Sequence, residues 1–147
     1  MMLYVDSSAL VKKYVEETGS DRVLKLMARS GFVVTSKLAY PELLAGLSRK
    51  KREKGITEKD HRDALADFES DWNAFLIIEF QDELLAVIKQ LTMKHALKGA
   101  DLVHLASALW IQKAAKEKVT FVASDIQLLR AAKAEKLEVT NPEGNSI

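Results

Sequence analysis

Residues 3–14, LYVDSSALVKKY, constrain the fold most, because a short apolar run ends there at a single carboxylate. Residues 2–5 are apolar and rich in β-formers, which is typical of a strand buried on both faces of a parallel sheet. Asp6 follows directly, and Ser7 and Ser8 offer hydroxyls that cap a helix. We predict a strand, a turn and a helix, with Asp6 at the sheet edge where open α/β proteins bind ligands. An isolated Asp at such a turn is more simply explained as a helix cap.

Short apolar runs alternate with amphipathic segments along the rest of the chain. Further strands are predicted at residues 32–34, 76–78, 119–123 and 137–139. Strands that alternate with helices imply parallel pairing and right-handed crossovers. The pattern therefore predicts an α/β fold, with a central, mostly parallel sheet of four to five strands flanked by helices. The length of 147 residues suits one domain over residues 1–147. Residues 141–145 are expected to be a loose tail.

The composition excludes several classes of protein and of site. The chain has no cysteine, so disulfides, a thiol nucleophile and thiolate metal sites are excluded. Without an apolar run of roughly 20 residues or a signal-peptide pattern, we expect no membrane segment and a cytoplasmic location. The net charge of +1, from 22 basic and 21 acidic residues, gives no overall attraction to nucleic acid.

Basic residues nevertheless form a cluster at residues 49–54 that includes Arg49, Lys50 and Arg52. This cluster follows Glu42 on the same predicted helix. A run of charge of this kind either binds phosphates or coats a solvated helix end. A second, more dispersed set of basic residues is expected to coat solvated helix faces: Lys113, Lys116, Lys118, Arg130, Lys133 and Lys136.

Four acidic residues occupy comparable places along the predicted sheet. Asp6 and Asp125 each follow a strand, Glu42 lies on the helix after the second strand, and Asp101 opens an apolar helix. The carboxyl ends of parallel strands share one edge of the sheet, so these acids are expected to meet. Taken singly, the three aspartates are also explained as helix caps and Glu42 as an exposed helical acid. Glu42 and Asp101 have apolar neighbours, however, where an unpaired carboxylate is costly.

Clustered carboxylates raise one another's pKa unless a hard cation compensates their charge. Oxygen ligands suit Mg²⁺ or Mn²⁺, and the corresponding chemistry is metal-assisted hydrolysis of phosphodiester bonds without a protein nucleophile. Ser7, Ser36 and Ser124 are candidates for hydrogen bonds at such a site or for helix caps. His104 stands three residues after Asp101, so a D-x-x-H metal pair is one interpretation; a buried core histidine is the interpretation we favour.

The four acids lie in segments that resemble a known family. LYVDSSALVKKY, PELLAGLSRK, GADLVHLASAL and FVASDIQLLRAA resemble, in that order, the four motifs of the PIN-domain ribonucleases, most closely the VapC-type toxins of prokaryotic toxin-antitoxin pairs. The resemblance covers essentially the whole chain and implies a parallel sheet between helices. It implies that residues 55–72 form the two-helix clip of this fold, which contributes to antitoxin contact and dimerisation. It also implies a catalytic Mg²⁺ or Mn²⁺ site made of Asp6, Glu42, Asp101 and Asp125, assisted by Ser124.

The function implied by this resemblance is a metal-dependent endoribonuclease that acts as a toxin on RNA, is held in check by an antitoxin protein and forms a homodimer. Arg49, Lys50 and Arg52 then become candidate contacts for RNA phosphates. Two alternatives remain open. One is a nuclease of the same fold that cuts structured DNA or processes ribosomal RNA without an antitoxin. The other is a non-catalytic PIN-like binding module.

Overall fold

The computed structural model describes residues 1–144 and 147, and this described part contains a five-stranded sheet. The strands are β1 Met2–Val5, β2 Phe32–Ser36, β3 Leu76–Ile78, β4 Val119–Val122 and β5 Glu138–Thr140. Their order across the sheet is β3-β2-β1-β4-β5, and every neighbouring pair is parallel. The predicted α/β class is confirmed.

Helices connect the strands and cover both faces of the sheet. They are α1 Ser7–Leu10, α2 Ser20–Arg29, α3 Ala39–Arg52, α4 Glu58–Trp72, α5 Asp82–Thr92, α6 Gly99–Ala115 and α7 Ile126–Ala134, with a 3₁₀ turn at Val11–Lys13. No helix in the described part of the chain is both long and apolar enough to cross a membrane.

The central strand β1 is buried on both faces, as its continuous apolar sequence predicts. Met2 and Tyr4 belong to a hydrophobic cluster beneath α5, α6 and α7. Leu3 and Val5 belong to the cluster on the other face, beneath α1, α3 and α4. Because β1 pairs with both β2 and β4, its carboxyl end lies in the middle of the sheet edge.

Helix starts differ from the sequence-based predictions in three places. Asp6, and not Ser7 or Ser8, caps α1 with its side chain. Ser36 accepts a hydrogen bond from the Leu38 backbone N–H at 3.1 Å, but α3 begins only at Ala39 without a side-chain cap. Asp101 lies in the first turn of α6 and does not cap it, since that helix begins at Gly99.

The implied two-helix clip is also built differently from the expectation. Residues 55–72 contain a single helix, α4, whose start carries a capping box formed by Thr57 and Asp60. The helix that packs against α4 is α3, which also carries Glu42. Helix α3 therefore connects Glu42 of the candidate site to α4.

The expectation of a loose tail is wrong for its first residues. Asn141 and Pro142 are buried, and the backbone of Pro142 lies so close to Gly19 that a Cβ there would approach it to 3.1 Å. Gly19 also has a positive φ of 94°, which favours glycine. Asn145, the last residue of the expected tail, lies outside the described residues.

Lys12 holds this tail through a nearly buried charge. Its Nζ lies 3.0 Å from Glu17 Oε1 and 3.4 Å from Glu143 Oε2, and its side chain is 6% exposed. Glu17 also forms an ion pair with Lys50 of α3, in which Lys50 Nζ lies 3.0 Å from Glu17 Oε2. Glu17 therefore links α3 to the segment between Val11–Lys13 and α2.

This cluster predicts an acid-sensitive contribution to stability. Burial acts to raise the pKa of Glu17, but hydrogen bonds from Lys50 and Lys12 outweigh it, so the pKa is lowered. A carboxyl group with a lowered folded-state pKa stabilises the protein above its unfolded-state pKa, and that stability is lost as pH falls through the folded-state pKa. The free energy of unfolding is to be measured by urea titration at neutral pH and below about pH 5. The loss on acidification should be larger in the wild type than in Glu17→Gln, by on the order of 1 kcal/mol. Glu16→Gln, at an exposed neighbour, should follow the wild type; equal losses in wild type and Glu17→Gln would contradict the prediction.

Candidate active site

Asp6 occupies the turn between β1 and α1 and is only 3% exposed. Its Oδ1 accepts the backbone N–H of Ala9 at 2.9 Å, which makes it the N-cap of α1. The Ser8 hydroxyl lies 2.8 Å from Oδ1 and 3.0 Å from Oδ2, and donates to this carboxylate. The structure thus confirms the helix-cap interpretation of Asp6 and gives Ser8 the role of a donor.

Asp101 is coupled electrostatically to the other three acids. Burial raises the pKa of Asp6 to about 6 against the lowering effects of His104, Ala9 and Ser8, and the charge of Asp101 raises it further. Burial also raises the pKa of Asp101, and the charges of Asp125 and Glu42 add to this effect. Asp101 is therefore near each of the other three acids, as the shared sheet edge predicts.

Glu42 reaches the site from α3 and is held by a histidine. Its Oε1 lies 2.8 Å from Nε2 of His104, which is 1% exposed on α6. The other ring nitrogen, Nδ1, lies 2.8 Å from the Tyr4 hydroxyl. His104 is thus a buried core residue, as we favoured, but the ring nitrogens bond Glu42 and Tyr4 instead of pairing with Asp101.

Asp125 is exposed and follows β4, where it caps α7 through a 3.0 Å hydrogen bond from the Leu128 N–H to Oδ1. The neighbouring Ser124 lies beside the turn that holds Asp6, because its backbone N–H is 3.4 Å from Ser8 Oγ. The Ser124 hydroxyl oxygen is buried and has no hydrogen-bond partner in the described part of the chain. A buried hydroxyl without a partner is costly, so this atom suits a ligand or water at the site.

The acids do not form a preassembled metal site. Among residues 1–144 and 147, no group of three or more His, Asp or Glu side chains is placed to hold a metal ion. Asp6 and Asp125 each accept a backbone N–H, and Glu42 bonds His104. The donor set is nevertheless that of a hard cation, since it consists of carboxylate oxygens, and neighbouring acids help to raise the pKa of Asp6 and of Asp101. In chemistry, though not in preformed geometry, the residues fit Mg²⁺ or Mn²⁺.

A groove of about 390 Å³ opens between α1 and α3, and Glu42 is the one of the four acids that lines it. Ser7, Ser8 and Glu42 line one end of it, and Arg49 and Lys50 line the other. Arg49 is exposed and has no salt bridge within the described residues, whereas Lys50 pairs with Glu17. Arg52 does not line the groove and donates to Ser48 Oγ at 3.0 Å.

Some features of the site could not be predicted from the sequence. The partners of His104 lie 62 and 100 residues away along the chain, and no local pattern pairs them. The effect of Lys98 was not predicted either: its charge lowers the pKa of Asp101. The dispersed basic residues, in contrast, are exposed as expected.

Comparisons with known proteins agree with this fold. The PIN domain family matches residues 3–134. Ribonuclease VapC45 of Mycobacterium tuberculosis (strain CDC 1551 / Oshkosh) is 42% identical over 112 residues, which cover 74% of this chain and 75% of that protein. FitAcB from Neisseria gonorrhoeae superposes with a TM-score of 0.71 at 20% identity, covering 99% and 100% of the two chains. A toxin-antitoxin complex from Klebsiella pneumoniae gives a TM-score of 0.63 at 14% identity, covering 95% and 97%. The chain therefore belongs to the PIN domain family, among its VapC-type ribonuclease toxins.

Proposed function

We propose that this protein is an endoribonuclease that requires Mg²⁺ or Mn²⁺ to hydrolyse RNA phosphodiester bonds and acts as the toxin of a toxin-antitoxin pair. The observation that supports the proposal is the electrostatic coupling of Asp101 to Asp6, Glu42 and Asp125, together with a groove that Glu42, Arg49 and Lys50 line. The 42% identity to a curated VapC ribonuclease supports the choice of RNA as substrate.

The four acids share one role in the proposed site. Asp6, Asp101, Asp125 and Glu42 would hold the cation, and Ser124 would assist with its free hydroxyl. When bound, the cation would supply positive charge at the scissile phosphate and activate the attacking water. Ser8 and the Ala9 N–H hold the Asp6 carboxylate in one orientation.

Arg49 and Lys50 are the proposed contacts to the RNA backbone. Both line the groove that begins at Glu42, so an RNA strand in this groove would bring a phosphate near the acids. Arg49 is the stronger candidate because its charge is not neutralised by a salt bridge within the described residues. Arg52, outside the groove, is at most a peripheral contact.

We further propose an antitoxin partner, a homodimer and a cytoplasmic location. The structural similarity to a toxin-antitoxin complex supports the first of these. We also propose that residues 1–147 form one domain, since β5 lies beyond the family match and still completes the sheet.

The proposal predicts that metal binding and RNA cleavage occur together. The full chain, freed of metal by EDTA, should gain about 2.7 kcal/mol of stability at a Mn²⁺ concentration of 100 times the Kd. It should cut RNA only after Mg²⁺ or Mn²⁺ is restored, and sequencing of RNA 5′ ends after brief expression would locate the cuts. Stabilisation by Mn²⁺ without cleavage of RNA would favour a binding module. Cleavage in excess EDTA would refute the metal requirement.

A further inference from the structure

His104 joins three elements of the site through two side-chain hydrogen bonds. His104 lies on α6. Its Nδ1 is 2.8 Å from the hydroxyl of Tyr4 on β1, and its Nε2 is 2.8 Å from Oε1 of Glu42 on α3. Tyr4 is fully buried and its ring stacks on Phe121 at 5.4 Å, so its hydroxyl has little freedom to move. The histidine ring is therefore fixed from the side opposite Glu42.

The chemistry of these groups decides where the protons lie. An ionised carboxylate only accepts hydrogen bonds, so Nε2 must carry a proton and donate it to Glu42. A phenol is protonated at neutral pH, so the Tyr4 hydroxyl has a proton to donate and Nδ1 of His104, 2.8 Å away, accepts it. A ring that donates from Nε2 and accepts at Nδ1 satisfies all of these groups, and the Tyr4 hydroxyl selects that arrangement.

Glu42 needs such a partner because it is otherwise free to turn. Its side chain is 28% exposed and has several rotatable bonds, which cost conformational entropy when they are fixed. The bond to His104 occupies Oε1, whereas Oε2 has no hydrogen bond within the described residues. One carboxylate oxygen is thus restrained and the other remains available.

We infer that His104 is a positioning residue: its Nε2–H holds Glu42 with one carboxylate oxygen available to the catalytic cation, and Tyr4 fixes the ring in the required tautomer. This inference rests on the proposed metal-dependent function. Hydrogen bonds to metal-binding carboxylates typically change metal affinity by about 10–100-fold. His104 itself touches neither the cation nor the RNA in this assignment.

The test is the Mn²⁺ affinity of the full chain without RNA, measured by calorimetry and by electron paramagnetic resonance of free Mn²⁺. His104→Leu should weaken Mn²⁺ binding about 10–100-fold, and kcat for RNA cleavage should fall while KM changes little. His104→Gln places an amide donor near Nε2 and should restore most of the affinity. Tyr4→Phe keeps the Nε2 donor but frees the tautomer, and should have a smaller effect.

A matched control is a second histidine-glutamate pair, partly buried, in which His95 Nε2 lies 2.8 Å from Glu135 Oε2. His95→Leu removes the same kind of bond and should leave Mn²⁺ affinity unchanged. In a Glu42→Gln background, His104→Leu should weaken Mn²⁺ binding no further, because the two changes act through one carboxylate.

The outcomes separate this inference from the proposed function. If the wild type neither binds Mn²⁺ nor cuts RNA, both are overturned. If the wild type does both and His104→Leu binds Mn²⁺ equally well, only the role of His104 is overturned. Should His104→Leu fail to fold, the variants His104→Gln and Tyr4→Phe provide the test. If His104→Gln loses as much Mn²⁺ affinity as the variant that lacks the Glu42 carboxylate, the inference is contradicted.

Discussion

Replacing Asp6 with Asn is expected to reduce RNA cleavage at least about 100-fold and to stabilise the metal-free protein. The loss of activity follows from removing a negative charge from the proposed cation site. The gain in stability follows from burial, because a carboxyl group whose pKa is raised to about 6 carries an unfavourable charge at neutral pH. Since the shift is about two pKa units, the gain is up to about 3 kcal/mol above pH 7. Asn also remains a good cap for α1.

The size of this gain in stability depends on pH. A folded-state pKa above the unfolded value costs stability above the folded-state pKa, and that cost disappears as pH falls below the unfolded value. The gain of Asp6→Asn, measured by urea unfolding in EDTA, should therefore shrink from pH 8 to about pH 4. Asp21→Asn, at an exposed carboxylate in the first turn of α2, serves as the matched control and should change neither property. Full activity in Asp6→Asn would refute the assignment of this residue.

Phe68→Ala is expected to cause the largest loss of stability, about 3–5 kcal/mol. Phe68 is fully buried on α4, and its ring centroid lies 5.5 Å from Tyr14, 5.7 Å from Tyr40 and 5.5 Å from Trp72. Truncation removes the contact that joins α4 to α3 and to the turn after α1, and leaves a cavity between aromatic rings. The free energy of unfolding in urea measures the effect.

An exposed phenylalanine provides the comparison for this variant. Phe80 is 56% exposed, so Phe80→Ala should change the free energy of unfolding by less than about 0.5 kcal/mol. A loss below about 1 kcal/mol in Phe68→Ala would show that α4 is not held by this aromatic cluster.

The order and type of the elements follow from local sequence. The apolar runs at β1 and β4 are long enough for strands and are followed by residues that start helices, so the parallel sheet could be predicted. The position of Asp6 and Asp125 at one edge follows from the same alternation, because parallel strands must end on the same side. The capping box of α4 was likewise readable, since its two residues are three positions apart.

By itself, then, the sequence determined the strand-helix alternation and the edge at which Asp6 and Asp125 lie, because both depend on neighbours a few residues apart. Tertiary structure decided how deeply Asp6 is buried, that Asn141 and Pro142 pack against Gly19, and that His104 holds Glu42. The physical reason is that burial and hydrogen bonds between distant segments depend on how complete helices pack on the sheet. The carboxylate after β1 is therefore both the cap of α1 and the most buried of the four acids, and only the packed structure shows that it has both properties.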